Sequence, residues 1–544
     1  MHRINISGIV VLTITSVIMF MFSGNLFAQS SNPSNNAQPD GPRITAPKGA
    51  HHTEVPDHLF DIILGRPTDE SVTLRILAYK NLESYFVYGS QEGTYTKQTN
   101  IHHFQKDEPL NIVFDSLRPD TRYYYQMRYR ESGSDVFTEG EEYTFHTQRT
   151  PGKSFTFTII ADSHLDANTR PELYKTTLKN ALADNPDFHV DLGDTFMNRR
   201  TKSKLYLTQR YYLGLLCHSA PLFLTLGNHD DRRGSPAVNL RKKYYPNPVP
   251  DGFYTGNDVE EPGIGYPGNY YAWEWGDALI IALDPYWFSK RERRTRRGSD
   301  DNRERSDNRT SGKAPPAAGD TRENRERGNS DRQAGDDNRS ARGGKGESSN
   351  SNSDSDSSAT DFHWGITLGE RQYQWFKKTL EESNAKFRFV FIHNLVGGVS
   401  TRGGNTRGGA EAAKYWEWGG YNADNTYGFP QQRPQWDMPI HQLMVRNKVD
   451  VLFHGHDHLF TKQDLDGIVY QLVPQPAMPM YDGIGSAAVY GYKQGVIIGP
   501  AGHLRVTVSE KEAVVDYIRA YLPEHVDEKR VNGENAYSYT ITAD

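Results

Sequence analysis

Short runs of alternating apolar and polar residues recur between residues 53 and 150. Turn-forming residues separate one run from the next, which is typical of a small antiparallel β-sandwich. The runs are Ser71–Leu77, Ser84–Tyr88, Leu110–Phe114, Tyr123–Tyr129 and Tyr143–Thr147. We therefore predict a β-sandwich domain over residues 53–150.

From Ser154 onward, apolar strand-like runs alternate with stretches of helical period, which predicts an α/β domain over residues 151–544. The predicted helices are Pro171–Asp184 and Glu370–Ser383. The predicted strands are Phe155–Ala161, Phe188–Leu192, Leu222–Leu226, Tyr270–Leu283, Phe387–Ile392 and Val449–Phe453. Trp273 and Trp275 alternate within one of these strands, where core packing explains them.

Three segments have no pattern that would build a core. Residues 1–28 join a basic start to the apolar run Ile9–Phe22 and a small residue at Ala28, as an export signal does. Residues 29–52 are polar and predict a flexible leader. Residues 290–358 contain no Val, Ile, Leu, Met, Phe, Trp, Tyr or Cys, which predicts a disordered polar insertion within the α/β domain.

Charge and cysteine content narrow the candidate partners and cofactors. A formal net charge of −6 gives no basic field, so we expect no nucleic-acid binding. No stretch after the export signal is long and apolar enough to span a bilayer. Because Cys217 is the only cysteine, an intramolecular disulfide and a cysteine-based metal cluster are excluded. Any metal must be bound by His, Asp, Glu or Asn side chains.

Polar motifs follow the predicted strands of the α/β domain, where ligand sites of layered α/β folds are found. They are Asp162-Ser-His164, Gly193-Asp194, Gly227-Asn-His-Asp230, His393 and Gly455-His-Asp-His458. In this order the set resembles the calcineurin-like metallophosphoesterase superfamily, over about residues 154–515. The resemblance implies a four-layer α/β/β/α sandwich and phosphoric ester hydrolysis.

The β-sandwich resembles a fibronectin type III module, because the proline-containing stretch Leu117–Tyr123 leads into a tyrosine predicted to be buried. Such a module before a phosphoesterase domain is the arrangement of purple acid phosphatases. Those enzymes carry an iron-binding tyrosine three residues after the bridging aspartate, and this chain has Met197 there. The resemblance therefore does not extend to their ferric chemistry.

Hydrolysis of a phosphate ester is served by two cations held together by a carboxylate, which neutralise oxygen charge and supply a metal-bound hydroxide as nucleophile. Asp194 is the predicted bridge. One predicted site contains Asp162, His164 and His458, and the other contains Asn228, His393 and His456. Mixed imidazole and carboxylate donors favour two divalent or mixed-valence ions of Zn, Mn or Fe.

The family pattern implies that His229 orients the phosphate and protonates the leaving oxygen as the general acid. Asp230 is the predicted partner of its imidazole. Asn228, His229 and Arg232 are the predicted substrate contacts, since amide, imidazole and guanidinium groups suit phosphate oxygens.

These observations predict an exported phosphomonoesterase, periplasmic or secreted, that acts on a small phosphate ester. Phosphodiester or nucleotide hydrolysis is an alternative, because the same metals serve both reactions. A non-catalytic surface binding protein is an alternative of a different class, although the complete ligand set argues against it.

Overall fold

The computed structural model describes residues 50–201, 204–230, 233–289, 362–398 and 407–543. The predicted export signal, most of the predicted leader and the predicted insertion lie outside these residues. The last residues of the predicted leader are hydrogen-bonded to the α/β domain: His52 N donates to Leu165 O at 2.7 Å, and Ala167 N donates to Ala50 O at 3.0 Å.

The amino-terminal part forms two antiparallel sheets with a shared apolar core. Its strands are β1 Phe60–Gly65, β2 Val72–Ala78, β3 Leu82–Gly89, β4 Lys97–Gln98, β5 His102–Phe104, β6 Leu110–Phe114, β7 Arg122–Glu131 and β8 Thr138–His146. One sheet has the order β1-β2-β6. In the other sheet, β3 pairs with β4, β5 and β7, and β7 also pairs with β8. The buried Tyr123 hydroxyl accepts a 2.9 Å hydrogen bond from Arg118 N, which fixes the turn before β7.

Strand β1 was not predicted from the sequence, because it lacks polar alternation. Ile62 packs into the sandwich core, whereas its neighbour Ile63 packs against the helices of the α/β domain. Both faces of β1 are therefore buried, and a continuous apolar run results.

Two further sheets form the α/β domain. Its strands are β9 Phe155–Ile160, β10 Phe188–Asp191, β11 Leu222–Leu224, β12 Thr255–Gly256, β13 Tyr271–Trp275, β14 Ala278–Leu283, β15 Phe387–Ile392, β16 Val451–His454, β17 Phe460–Leu465, β18 Ile468–Leu472, β19 Val496–Ile498, β20 Gly502–Val508, β21 Glu512–Arg519 and β22 Asn535–Thr542. The sheet orders are β11-β10-β9-β20-β21-β22 and β12-β13-β14-β15-β16-β18-β17-β19.

The α/β domain also contains helices. They are α1 Pro171–Ala183, α2 Asn198–Thr201, α3 Leu205–Cys217, α4 Ala237–Tyr244, α5 Gly369–Glu382, α6 Trp416–Gly419, α7 Phe429–Gln432, α8 Ile440–Arg446 and α9 Ser486–Val489. Short 3₁₀ turns lie at Ala410–Ala412 and Pro523–His525.

Alternation along the strands explains the layers. In β9, Ile159 packs into the core between the two sheets, whereas Ile160 packs against α1 and α3. In β14, Ile280 joins the core between the sheets, whereas Ile281 packs against α5 and α8. The order is helix, sheet, sheet, helix, so the predicted four-layer α/β/β/α fold is confirmed.

The predicted strand Tyr270–Leu283 is wrong as a single element, because the structure has a hairpin of β13 and β14. Its turn uses Gly276 at φ +57°, a left-handed conformation that favours glycine. Apolar residues continue on both sides of this turn, so periodicity did not reveal it. Trp273 and Trp275 are buried in the core, as predicted.

A buried ion pair joins the sandwich to the α/β domain. Asp61 of β1 lies beside Arg210 of α3, whose Nε donates to Asp61 Oδ1 at 2.6 Å. The Tyr79 hydroxyl donates to Asp61 Oδ2 at 2.9 Å, and Arg210 also donates to the backbone carbonyl of Arg75 at 2.9 Å. Burial disfavours the charged carboxylate, but Arg210 and the hydrogen bonds from His58 and Tyr79 together outweigh burial and lower the pKa of Asp61.

We expect Arg210→Met to destabilise the fold by about 3–5 kcal/mol at neutral pH, because it leaves the Asp61 carboxylate buried without its cation. Since folding lowers the pKa of Asp61, the pair stabilises the wild type above about pH 4 and loses this effect as the pH falls further. Urea unfolding at pH 7 and pH 3 measures both effects. The double variant Asp61→Asn/Arg210→Met is the control and should recover part of the loss, whereas equal stability of Arg210→Met and wild type at pH 7 would contradict the prediction.

Candidate metal centre

The predicted metal ligands converge where the carboxyl ends of β9, β10, β15 and β16 meet. The structure brings six of them into two groups, and within each group the ligand atoms lie within 4.8 Å of one another. The groups are Asp162, His164 and His458, and Asp194, His393 and His456.

Asp194 faces both groups. Its Oδ2 lies 3.5 Å from His164 Nε2 and 3.3 Å from His393 Nε2. Asp162 Oδ1 lies 3.4 Å from Nε2 of both His164 and His458. One carboxylate oxygen of Asp194 is therefore positioned between the two candidate sites.

In Asp162, Asp194 and His393, the side-chain atom that does not face the centre is hydrogen-bonded to the backbone. His456 N donates to Asp162 Oδ2 at 2.7 Å, and His229 N donates to Asp194 Oδ1 at 2.7 Å. The Nδ1–H of His393 donates to Leu192 O at 2.8 Å, which directs Nε2 at Asp194. In each of these three side chains one polar atom faces the centre, while the hydrogen bond of the other atom sets the orientation.

The ligand loops adopt left-handed backbone conformations that non-glycine residues rarely use. The φ values are +59° at Asp162, +46° at His164, +56° at Asp194, +77° at His456 and +62° at His458. Such residues cost about 1–3 kcal/mol each and cluster at functional sites. In Asp-Ser-His and His-Asp-His, the sharp turns let side chains two residues apart point at the same centre.

The buried donor atoms fit metal ions. Within the described part of the chain, four ligand atoms have no hydrogen-bond partner: Asp162 Oδ1 and the Nε2 atoms of His164, His393 and His456. Burying unsatisfied polar atoms is costly, and one cation in each of the two candidate sites would satisfy them. Although burial disfavours its charged form, the carboxylates of Asp194 and Asp162 raise the pKa of His393 to about 9, so the centre attracts positive charge.

The motif Gly227–Asp230 packs directly on the candidate bridge. A Cβ on Gly227 would overlap Asp194 Oδ1, so only glycine allows this approach. Asn228, a predicted ligand, lies between Gly227 and His229, both of which contact that carboxylate. The His229 side chain is 26% exposed and its Nε2 lies 4.0 Å from Asp194 Oδ2.

Asp230 was predicted to pair with the His229 imidazole. In the structure, its carboxylate accepts hydrogen bonds from backbone N–H groups. Its Oδ2 accepts from Asp194 N at 2.8 Å and Gly227 N at 2.9 Å. Its Oδ1 accepts from Thr195 N at 3.1 Å and Phe196 N at 2.8 Å. Asp230 therefore joins two ligand loops, and its pairing with His229 stays a prediction. Arg232, a predicted substrate contact, lies outside the described residues.

The calcineurin-like phosphoesterase family matches residues 155–460, which contain every motif described above. The chain belongs to the calcineurin-like phosphoesterase family. It is therefore a hydrolase of phosphoric esters, and the predicted resemblance is confirmed. A comparison with curated proteins gives no match.

Solved phosphoesterase structures share the fold of this chain. A purple acid phosphatase, PPD1 from yellow lupin seeds, is 12% identical with a TM-score of 0.51, covering 89% of this chain and 74% of its own. PhoD is 13% identical with a TM-score of 0.54, covering 89% of this chain and 90% of its own. At such low identity the likeness concerns the fold alone.

In the described residues of this phosphoesterase, no helix combines the length and apolar character needed to cross a membrane.

Gln209 of α3 is a buried polar residue of this phosphoesterase that the sequence reasoning missed. Its Nε2 donates to Ser163 Oγ at 2.9 Å and to Thr195 O at 3.0 Å. Ser163 lies between two candidate ligands, and Thr195 follows Asp194. A signal was available, because Gln209 falls at helical spacing within the buried apolar stripe of Tyr206, Leu213 and Leu216.

We expect Gln209→Leu to weaken metal binding by about 10–100-fold, the usual effect of removing a group that positions metal ligands. Isothermal titration of metal-stripped protein with Zn²⁺ measures this. Thr208→Val, which changes the neighbouring buried residue of the same helix, is the control and should bind as the wild type does. Unchanged affinity in Gln209→Leu would contradict the prediction.

Asp457 separates the candidate ligands His456 and His458 and fixes the surrounding loops. It accepts hydrogen bonds from Arg407 Nη1 at 2.7 Å, Gly408 N at 2.9 Å and the Tyr492 hydroxyl at 2.8 Å. Arg407 Nη1 also donates to His456 O at 3.0 Å. The guanidinium of Arg407 is therefore held at the edge of the metal centre.

Proposed function

We propose that this chain is an exported phosphomonoesterase that uses two metal ions. The observation that carries the proposal is the Asp194 carboxylate, whose Oδ2 lies 3.5 Å from His164 Nε2 and 3.3 Å from His393 Nε2. A carboxylate oxygen between two donor groups is what a dinuclear centre requires.

The first metal ion would be held by Asp162, His164 and His458, and the second by Asn228, His393 and His456, with Asp194 between them. When bound, the two ions neutralise phosphate oxygens and lower the pKa of the attacking water. Imidazole and carboxylate donors suit Zn, Mn or Fe. Met197 is buried and has no phenol, so ligation by a tyrosinate at this position is not part of the proposal.

His229 would hold the proton that the leaving oxygen takes. Its side chain is 26% exposed beside Asp194, so it borders both the centre and solvent, from which a substrate enters. Its backbone N–H is committed to Asp194 Oδ1, which fixes the position of the imidazole. Asn228 would also contact the phosphate, because its amide precedes His229 in the same loop.

We also propose the predicted domain organisation and export. The Tyr123 hydroxyl bonded to Arg118 N supports a fibronectin type III-like module over residues 53–150. The catalytic domain would span residues 151–544 with an insertion at 290–358.

The proposal of export rests on the composition of residues 1–28. Amino-terminal sequencing of protein from the culture medium or periplasm tests whether cleavage follows Ala28.

Hydrolysis of nitrophenyl phosphate and bis-nitrophenyl phosphate, with bound metal quantified, tests the proposed activity. About two ions per chain and a clear preference for the monoester are expected. A strong preference for the diester would replace this proposal with phosphodiester hydrolysis, while a chain that binds no metal would overturn the two-metal mechanism.

A further inference from the structure

The two ring nitrogens of His164 have different surroundings. Its Nε2 lies 3.4 Å from Asp162 Oδ1 and 3.5 Å from Asp194 Oδ2, and it has no hydrogen-bond partner within the described part of the chain. Its Nδ1 lies 3.7 Å from Asp166 Oδ2. Because imidazole binds a metal ion through a nitrogen without a proton, His164 can use Nε2 only when its proton is on Nδ1. A carboxylate beside Nδ1 favours this form of the ring.

The carboxylate of Asp166 is itself held in a turn. Its Oδ1 accepts a hydrogen bond from Asn168 N at 2.9 Å, which leaves Oδ2 for His164. The backbone carbonyl of Asp166 accepts from Thr169 N at 3.0 Å and from Thr169 Oγ1 at 2.7 Å. Asp166 belongs to neither of the two candidate ligand groups. Its position therefore suits the orientation of a ligand and not the binding of an ion.

The last residues of the leader brace this turn. Residues 50–52 run antiparallel to residues 165–167, and His51 is bridged to Asp166. Backbone hydrogen bonds of 2.7 and 3.0 Å join the same two segments. Leu165 is fully buried in the core formed with α1 and α3. The turn is therefore fixed by the core on one side of Asp166 and by the leader at Asp166 itself.

We propose that Asp166 is a positioning residue that keeps the proton of His164 on Nδ1, so that Nε2 can bind a metal ion. The leader residues 50–52 serve the same site, because they fix the turn that carries Asp166. This inference rests on the proposed two-metal function. His393 shows the same division of its ring nitrogens with a neutral acceptor, since its Nδ1 donates to Leu192 O.

Asp166→Asn tests the inference, because the retained oxygen can still accept from Asn168 N while an amide NH₂ replaces the oxygen that faces His164. A donor at that position opposes a proton on Nδ1. Isothermal titration of the metal-stripped protein with Zn²⁺ should show about 10–100-fold weaker binding of one ion and unchanged binding of the other. Nitrogen NMR of the metal-stripped protein, with the ring signals identified through His164→Gln, should show the proton shifting from Nδ1 towards Nε2. A change that only loosened the turn would not move this proton.

Three further variants separate the carboxylate from the turn and from the leader. Thr169→Val removes the hydroxyl that donates to Asp166 O but leaves the carboxylate, so both ions should bind as in the wild type. His52→Pro removes the N–H that donates to Leu165 O, and its exposed side chain empties no core. It should weaken the same ion about 2–10-fold, the effect of losing one hydrogen bond. Glu54→Pro, at an exposed position two residues later, is its control and should change nothing.

The outcomes separate this inference from the proposed function. If the wild type binds two ions and hydrolyses phosphate esters, unchanged affinity or an unmoved proton in Asp166→Asn would overturn the inference and leave the function intact. An equal loss of affinity in Thr169→Val would also overturn it, because the turn and not the carboxylate would then matter. Wild-type binding by His52→Pro would overturn the role of the leader. A wild type that binds no metal would overturn the inference together with the proposed function.

Discussion

Asp194→Asn is expected to lower kcat/KM for nitrophenyl phosphate by more than about 100-fold, since even residues that only position metal ligands change activity by 10–100-fold. Bound metal should fall from about two ions per chain to one or fewer. The reason is geometric: Asp194 Oδ2 faces His164 and His393, one from each candidate ligand group. An amide of the same shape removes the negative charge that would hold two cations close together.

Asp187→Asn is the matched control for this variant. Asp187 is also buried and lies just before β10, whereas Asp194 lies just beyond the other end of the same strand. It pairs with Arg149 at 2.7 Å, at the end of β10 opposite the ligand loops. Asp187→Asn should lower stability and leave the metal content unchanged, whereas two ions and full activity in Asp194→Asn would refute the bridging role.

The strands that carry the site could be predicted because their burial is uniform and turn residues delimit them. Phe387–Ile392 has the predicted bounds, and Phe155–Ile160 and Phe188–Asp191 each end one residue before the predicted end. The ligands follow these strands directly. A position after a strand is a local property, so the sequence pattern and the family resemblance together could predict which residues lie in the candidate metal centre.

Properties that depend on contacts distant in sequence could not be predicted. β1 is buried by a domain that begins about 90 residues later, so its pattern lacks alternation. Asp230 was predicted to pair with the adjacent His229. Its carboxylate also accepts hydrogen bonds from the backbone N–H groups of Thr195 and Phe196, which lie 35 and 34 residues earlier in the chain. Gln475 and Tyr492 belong to no motif, and only their hydrogen bonds to Asp162 and Asp457 reveal that they support the ligand loops.

His229→Ala is expected to lower kcat for hexyl phosphate by about 100–10,000-fold, the range of general acid–base catalysis. The loss should depend on the leaving group. Nitrophenolate leaves without a proton, so the same variant should lose less than about tenfold on nitrophenyl phosphate. Metal content should stay at the wild-type value, because the His229 side chain belongs to neither of the two candidate ligand groups. Steady-state rates across a series of substituted phenyl and alkyl phosphates measure this dependence.

A control variant and the slope of that series decide the role of His229. His102→Ala changes a partly exposed imidazole on β5 and should leave both substrates unaffected. In the wild type, rates should depend weakly on the leaving-group pKa, because a proton arrives as the bond breaks. In His229→Ala the dependence should become steep. Equal slopes in both proteins would show that His229 does not deliver this proton, and a loss of metal in the variant would instead assign its imidazole to the ligand set.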